Sequence, residues 1–139
     1  RNSRIDQLQA AILRVKLRQL DRWNRSRKEI ARTYSEHLDR LTLTLPSNLG
    51  DSYVSHLYVV RTKLRDQLRK GLESLGISTA VHYPVPDYRQ LPVRNLPKQE
   101  VLEKTEQCCA RVVSLPCFPG MTELQVEKVI NAITSEVGL

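Results

Sequence analysis

Residues 1–40, which read RNSRIDQLQAAILRVKLRQLDRWNRSRKEIARTYSEHLDR, carry the longest regular pattern in the chain and decide how its fold begins. Ser3 followed by Asp6 is typical of a capping box, so we expect a helix to begin at Ser3. No glycine or proline interrupts it before Pro46, and a helix of roughly 35 residues would be about 50 Å long. The pattern predicts one long helix that connects a small domain to further protein. The apolar residues that recur at helical spacing are Ile5, Leu8, Ile12, Val15, Leu20, Trp23, Ile30, Tyr34 and Leu38.

The apolar stripe of this predicted helix changes width along its length. Residues 9–17 are apolar on more than one face, whereas residues 22–32 are mostly charged. A helix whose first part is buried on two sides and whose second part is buried on one would have this composition. If a covering domain is missing, residues 9–17 should form an exposed apolar patch.

The rest of the chain alternates short strand and helix patterns. Strands are predicted at residues 42–45, 53–61, 78–83 and 112–115. Helices are predicted at residues 64–75, ended by Gly76, at residues 101–108, and after a Thr122–Gln125 capping pair. Residues 84–98, with their prolines, are predicted to be an irregular loop. The expected fold is α/β, of the α+β kind: a long connecting helix (1–40) and a small domain (41–139) whose mostly antiparallel sheet is covered by helices.

Composition narrows the class of protein. No run of 18 apolar residues occurs and no signal-peptide pattern opens the chain, so we expect a cytoplasmic protein without a membrane span. Three cysteines, two of them adjacent, suit reduced thiols. The net charge of +7 favours anionic partners. One Trp and one Phe offer few stacking platforms, so nucleic acid is not the expected partner.

The residues that could carry chemistry do not add up to a complete catalytic site. There is no nucleophile motif, no glycine-rich phosphate loop and no cluster with metal-ligand spacing, so no metal is expected. His37 should be solvated on its helix and His56 packed inside a strand. His82 and Tyr83 end a strand ahead of two prolines, a common way to line a pocket, and the residues alone leave a ligand-facing role open.

Asn2, Ser3 and Arg4 stand where the long helix is expected to start. Free N–H groups and the positive end of the helix dipole attract anions there, and Asn and Arg suit a phosphate or carboxylate. Plain helix capping explains the same residues and is the reading that the residues alone favour.

Four blocks of the sequence closely resemble the DegT/StrS-type sugar aminotransferases. They are NSRIDQLQAAIL (residues 2–13), HLYV (56–59), HYPVP (82–86) and SLPCFPGMT (114–122), in the order found in that family. The resemblance implies the C-terminal domain of a fold-type-I aminotransferase, joined by a long helix to a large domain that holds pyridoxal phosphate on a lysine. It also implies a homodimer that transfers an amino group from glutamate to a nucleotide-linked keto sugar.

The resemblance implies roles for individual residues. Asn2 matches a position that reaches across the dimer to the cofactor phosphate, and Arg4 a neighbouring position at the same interface. His82 and Tyr83 match a loop that borders the sugar-nucleotide pocket. No segment resembles the lysine motif, so we expect no catalytic residue in this chain, and we expect the isolated chain to be inactive and unable to hold the cofactor alone. Residues 87–89 depart from the family's usual loop, which leaves the sugar open.

Two other readings remain at this stage. One is a free-standing basic module that contacts nucleic acid or an acidic partner through the arginines of the first helix, which are Arg14, Arg18, Arg22, Arg25 and Arg32. The other keeps the family but not the reaction, as a sugar dehydratase or a regulator.

Overall fold

The computed structural model describes residues 4–39, 41–47, 50, 52–90 and 101–137. Its helices are α1 (Gln7–Leu17), α2 (Leu20–Leu38), α3 (Arg65–Ser74), α4 (Glu103–Arg111) and α5 (Glu123–Val137). Its strands are β1 (Tyr58–Arg61) and β2 (Val112–Leu115), and a single 3₁₀ turn spans Asp87–Arg89. Within this described part, none of the helices combines the length and the apolarity that crossing a membrane requires.

The first helix begins later than the sequence pattern predicts. Asp6 has extended backbone angles and is the N-cap of α1, so the predicted start at Ser3 is wrong. The Asp6 carboxylate accepts a hydrogen bond from the Gln9 backbone N–H at 2.7 Å, and the Gln9 side chain accepts one from the Asp6 N–H at 3.4 Å. A capping box is present, but it joins residues 6 and 9, and it satisfies backbone donors that a helix end would otherwise expose.

The single long helix is also wrong, because α1 and α2 are separate. The Gln19 N–H donates to the Lys16 carbonyl at 2.9 Å, a tighter turn than the helical repeat. Gln19 has φ −102° and ψ −4°, and α2 starts after it without a side-chain cap. No glycine or proline marks this position, so neither of the usual sequence signals for a helix break was available.

The sheet is antiparallel, as expected, but its regular strands are fewer and shorter. β1 and β2 pair in the register Tyr58↔Leu115 to Arg61↔Val112. Two of the predicted strands reduce to single bridges, Thr44↔Arg61 and Ala80↔Ser114, one on each side of the pair. The predicted strand at 53–61 is confirmed only from Tyr58, because Ser55 has a φ of +51° and ends the extended backbone before it.

One face of the sheet forms the core. The side chains of Tyr58, Val60, Val113 and Leu115 share that face and are at most 4% exposed. They pack with apolar side chains of α2, α3 and α5, which confirms the prediction of a sheet covered by helices on one side. The helical members of this core are Ile30, Ala31, Tyr34, Leu38, Leu68, Leu72, Val126, Val129, Ile130, Ala132 and Ile133.

The apolar residues of α1 are not part of this core. No residue of α1 is buried. The exposed fractions of Leu8 and Leu17 are 72% and 68%, and Ile12, Leu13 and Val15 are exposed as well. This is the exposed patch that residues 9–17 were expected to form, and below we call it the α1 patch.

Gly76 ends α3 in the left-handed conformation, with φ +73°. Its N–H donates to the Glu73 carbonyl and the N–H of buried Ile77 donates to the Leu72 carbonyl, each at 2.9 Å. This is a Schellman cap, and it confirms the predicted role of the glycine.

We expect Gly76→Ala to lower the free energy of unfolding by about 1–2 kcal/mol, because an L side chain disfavours this φ. A Cβ there would meet no atom within 4 Å, so the cost is confined to the backbone. Gly76→Asn is the matched control and should cost less, since Asn tolerates the left-handed region. Urea unfolding of the protein measures both. Equal losses would show that the conformation of this residue is not the cause.

Candidate active-site surface

His82 is fixed at the edge of the sheet by a polar contact. Its Nδ1 lies 2.9 Å from the Ser114 hydroxyl oxygen. Ser114 is 4% exposed and is held in place by backbone hydrogen bonds with Ala80 at 2.8 and 3.3 Å. This contact orients the ring of His82 and engages its Nδ1, which leaves Nε2 as the nitrogen that could bind a ligand.

Tyr83 stands beside His82 and is open to contact. Its side chain is 69% exposed, and its ring meets the His82 ring edge-on with centroids 5.6 Å apart. Both rings line a concave space of about 310 Å³ that we call the His82 cleft. The remaining lining residues are Lys104, Thr105, Cys108, Cys109 and Val112. The structure therefore places the two residues together in the lining of one cleft, where a ligand could contact both.

The loop that follows is fastened to α4. The Tyr88 hydroxyl donates to the Glu106 carboxylate at 2.6 Å, and Arg89 Nε lies 2.7 Å from the same oxygen. The hydrogen bond to the carboxylate raises the pKa of Tyr88. Residues 87–89, where the sequence departs from the family's usual loop, are thus positioned against the helix that lines the His82 cleft.

Two histidine expectations have different outcomes. His56 is exposed, so the prediction of a packed core histidine is wrong. The turn at Ser55 explains the difference, since it removes residue 56 from the strand. His37 is exposed on α2, as expected, with its Nδ1 2.8 Å from the Thr33 carbonyl oxygen.

The structure describes only part of the anion site predicted at residues 2–4. Asn2 and Ser3 lie outside the described residues, and Arg4 is exposed three residues before α1. The carboxylate of Asp6 already occupies the N-terminus of that helix. The helical N–H groups begin at Gln7 and not at Ser3, so an anion bound beside Arg4 would depend on side chains such as that of Arg4.

The three thiols are free and lie in different surroundings. Cys117 Sγ lies 3.7 Å from the Arg27 carbonyl oxygen and 3.6 Å from the Ser55 carbonyl oxygen, and burial raises its pKa to about 11. Cys108 is different, because Arg61 Nη1 donates to its Sγ at 3.7 Å at the border of the His82 cleft. The sequence predicts reduced thiols for both and gives no signal that places Cys108 at the cleft.

Comparison with known proteins identifies the family. The model of the DegT/DnrJ/EryC1/StrS aminotransferase family matches residues 1–134. The chain belongs to this family. It corresponds to the C-terminal portion of a family member, as the resemblance of the four sequence blocks implied.

Relatives in the DegT/StrS family carry several names. The chain is 42% identical over 133 residues to the dTDP-3-amino-3,6-dideoxy-alpha-D-galactopyranose transaminase of Aneurinibacillus thermoaerophilus, covering 95% of the chain and 36% of that relative. It is 38% identical over 137 residues to a pleiotropic regulatory protein of Geobacillus stearothermophilus, covering 95% of the chain and 37% of the relative. The chain thus spans little more than a third of the length of these relatives.

The fold matches part of the fold of solved aminotransferases. An X-ray structure of S. venezuelae DesV in complex with a ketimine intermediate matches with a TM-score of 0.90 and 39% sequence identity. The match covers 96% of this chain and 37% of that one. The predicted fold class is confirmed.

Proposed function

We propose that this chain is the C-terminal part of a pyridoxal-phosphate-dependent aminotransferase that transfers an amino group from glutamate to a nucleotide-linked keto sugar. The observation that carries the proposal is the 42% identity, over 95% of the chain, to a relative named as a transaminase of a dTDP-linked amino sugar. The aminotransferases of the family depend on pyridoxal phosphate. The lysine that would bind the cofactor covalently belongs, in this proposal, to a part of the protein outside residues 1–139.

The chain's own residues would contribute binding and orientation. When bound, pyridoxal phosphate supplies the electron sink for the transfer. Asn2 and Arg4 would hold its phosphate across a dimer interface, and the described member of this pair fits, because Arg4 is exposed and has no ion pair with a described carboxylate. His82 and Tyr83 would border the nucleotide sugar, with Ser114 holding the imidazole so that Nε2 faces the ligand.

The α1 patch supports the assignment of the chain to a larger assembly. Leucine and isoleucine side chains exposed on successive turns are unfavourable in water and favour a covering surface. We infer that residues 1–40 connect the small domain (41–139) to a large domain, and that the active protein is a homodimer. We also infer a cytoplasmic location, since two of the relatives are named as transaminases of dTDP-linked amino sugars.

Isotope transfer tests the reaction directly. The full-length protein that contains this chain is incubated with pyridoxal phosphate, ¹⁵N-glutamate and a dTDP-linked 3-keto sugar. Mass spectrometry should detect ¹⁵N in a dTDP-linked amino sugar. Residues 1–139 alone serve as the control and should transfer no label. A full-length protein that binds the cofactor but labels no nucleotide sugar would contradict the proposal.

A regulatory role is the second candidate, and the similarity to a pleiotropic regulatory protein favours it. The same isotope experiment separates the two readings. If ¹⁵N appears in the sugar, the protein is an aminotransferase. If no ¹⁵N appears and the full-length protein binds no pyridoxal phosphate, the regulatory role is favoured.

We expect Asn2→Ala in the full-length protein to weaken the retention of pyridoxal phosphate by at least about tenfold, because it removes hydrogen bonds to a charged group worth about 1.5–3 kcal/mol. The fraction of cofactor retained after dialysis measures the effect. Ser3→Ala is the neighbouring control and should retain the cofactor. Unchanged retention together with lower stability would show that Asn2 serves the fold and not the cofactor.

A further inference from the structure

A second and larger concave space lies on the same helix as the His82 cleft. It measures about 800 Å³ and we call it the basic cleft, after the four cations in its lining: Arg61, Lys63, Lys104 and Arg111. Thr42, Thr44, Thr62 and Gln107 add hydroxyl and amide groups, and none of the described lining residues is an Asp or a Glu. Its size is that of a small organic ligand, larger than a single inorganic ion needs.

Backbone pairing brings two of the cations together from distant parts of the sequence. Arg61 pairs with Val112 in the sheet, and the Thr62 N–H donates to the Arg111 carbonyl at 3.1 Å. Thr44 exchanges two backbone hydrogen bonds with Arg61, at 2.9 and 3.0 Å. The Cα atoms of Arg61 and Arg111 are therefore held in place by backbone hydrogen bonds in and beside the sheet.

Helical spacing supplies the rest of the cleft wall. Lys104, Cys108 and Arg111 follow at intervals of four and three residues on α4 and so share one face of that helix. Arg61 Nη1 donates to Cys108 Sγ at 3.7 Å, which directs its guanidinium toward this face. Charged groups from β1 and from α4 thus converge on the same space.

The four cations of the basic cleft are not neutralised by neighbours. Among the residues that the structure describes, none of the four forms an ion pair with a carboxylate, whereas Arg32, Arg65 and Arg89 each do. Like charges gathered without a counter-charge raise the local potential and favour an anion. Arginine offers paired N–H donors and lysine a point charge, which together suit phosphate oxygens.

We propose that the basic cleft binds the diphosphate group of a small phosphorylated molecule. Four positive charges complement the charge of a diphosphate better than that of a carboxylate, and the threonine hydroxyls and Gln107 can bind its remaining oxygens. Lys104 and Cys108 line both this cleft and the His82 cleft, so the two spaces adjoin. A nucleotide-linked sugar could then place its diphosphate in the basic cleft and its sugar at His82. Only this last assignment rests on the proposed function.

Calorimetric titration of the full-length protein with inorganic pyrophosphate tests the site. We expect saturable binding that weakens as salt is raised. The double substitution Arg61→Gln with Arg111→Gln should raise the Kd by at least about tenfold, since each removes hydrogen bonds to a charged group. Lys104→Gln, which changes one exposed charge, should raise it several-fold. Arg32→Gln on α2, 80% exposed and paired with Glu36, is the matched control and should leave the Kd within a factor of two.

Two arms distinguish the source of the diphosphate. Competition between pyrophosphate and a dTDP-linked sugar assigns the cleft to that sugar nucleotide, and binding without competition assigns it to a separate phosphorylated ligand. Either result supports the site. Absence of saturable pyrophosphate binding, or a double variant with the Kd of the unsubstituted protein, would overturn it. The titration needs no turnover. Pyrophosphate binding can therefore be established even if the isotope-transfer test shows no amino transfer.

Discussion

Tyr34→Ala should lower the free energy of unfolding of the core that α2 forms with the small domain by about 3–5 kcal/mol, the range for removing a large buried aromatic side chain. Tyr34 is fully buried, and its ring packs against that of Tyr58 with centroids 5.2 Å apart. Its hydroxyl donates to the Pro116 carbonyl at 2.9 Å. The substitution therefore removes the main aromatic contact between α2 and the sheet and leaves a cavity beside Tyr58.

A smaller change at the same position separates packing from hydrogen bonding. Tyr34→Phe keeps the ring and should cost about 1–3 kcal/mol, because the Pro116 carbonyl loses its donor. Hydrogen exchange in β1 and β2 of the full-length protein measures the free energy of opening of this domain separately from the rest of the protein. If the two variants lose the same amount, the ring contact is not what joins α2 to the sheet.

His82→Ala should reduce kcat/KM for the nucleotide sugar by roughly two- to tenfold, the effect of losing one hydrogen bond of about 0.5–1.5 kcal/mol. The absorption spectrum of the cofactor should stay unchanged, because we place His82 at the substrate and not at the cofactor. Steady-state kinetics and a spectrum of the same preparation provide both readings. Lower kcat/KM with an unchanged cofactor spectrum would distinguish a substrate-binding role of His82 from a purely structural one.

His37→Ala is the matched control for that experiment. His37 is exposed on α2 and bonds only locally, to the Thr33 carbonyl, so its loss should leave kcat/KM unchanged. Ser114→Ala tests the orientation of the imidazole and should reproduce part of the effect of His82→Ala. An altered cofactor spectrum with normal sugar kinetics in His82→Ala would contradict the placement of this residue.

The elements that the sequence predicts well are those with a local signal. Thr122 and Gln125 exchange the hydrogen bonds of a capping box ahead of α5, and Gly76 caps α3 as its position suggests. The break after α1 has no such signal, because it consists of a backbone turn at Gln19 without glycine or proline. The strand at residues 53–61 was shortened by the positive φ of Ser55, a residue type for which that conformation is uncommon.

The residues of the candidate site likewise divide into those with a local sequence signal and those without one. The pair His82 and Tyr83 could be selected from a strand end before two prolines, and the structure places both at a cleft. Their partner Ser114 could not, because the contact spans 32 residues and depends on an isolated bridge between Ala80 and Ser114. The basic cleft was missed for the same reason: its walls come from β1 and α4, and only the spacing of Lys104 and Arg111 was visible in advance.

The central claim is that this chain belongs to a longer aminotransferase that holds pyridoxal phosphate on a lysine outside residues 1–139. Its most direct test is the mass of the native polypeptide, recovered from its source cells with an antibody against this domain, loaded with pyridoxal phosphate and reduced with borohydride. We expect a polypeptide far heavier than 16.0 kDa that gains one phosphopyridoxyl group on a lysine beyond this chain. A native polypeptide of 16.0 kDa, or a heavier one that gains no such group, would contradict the account.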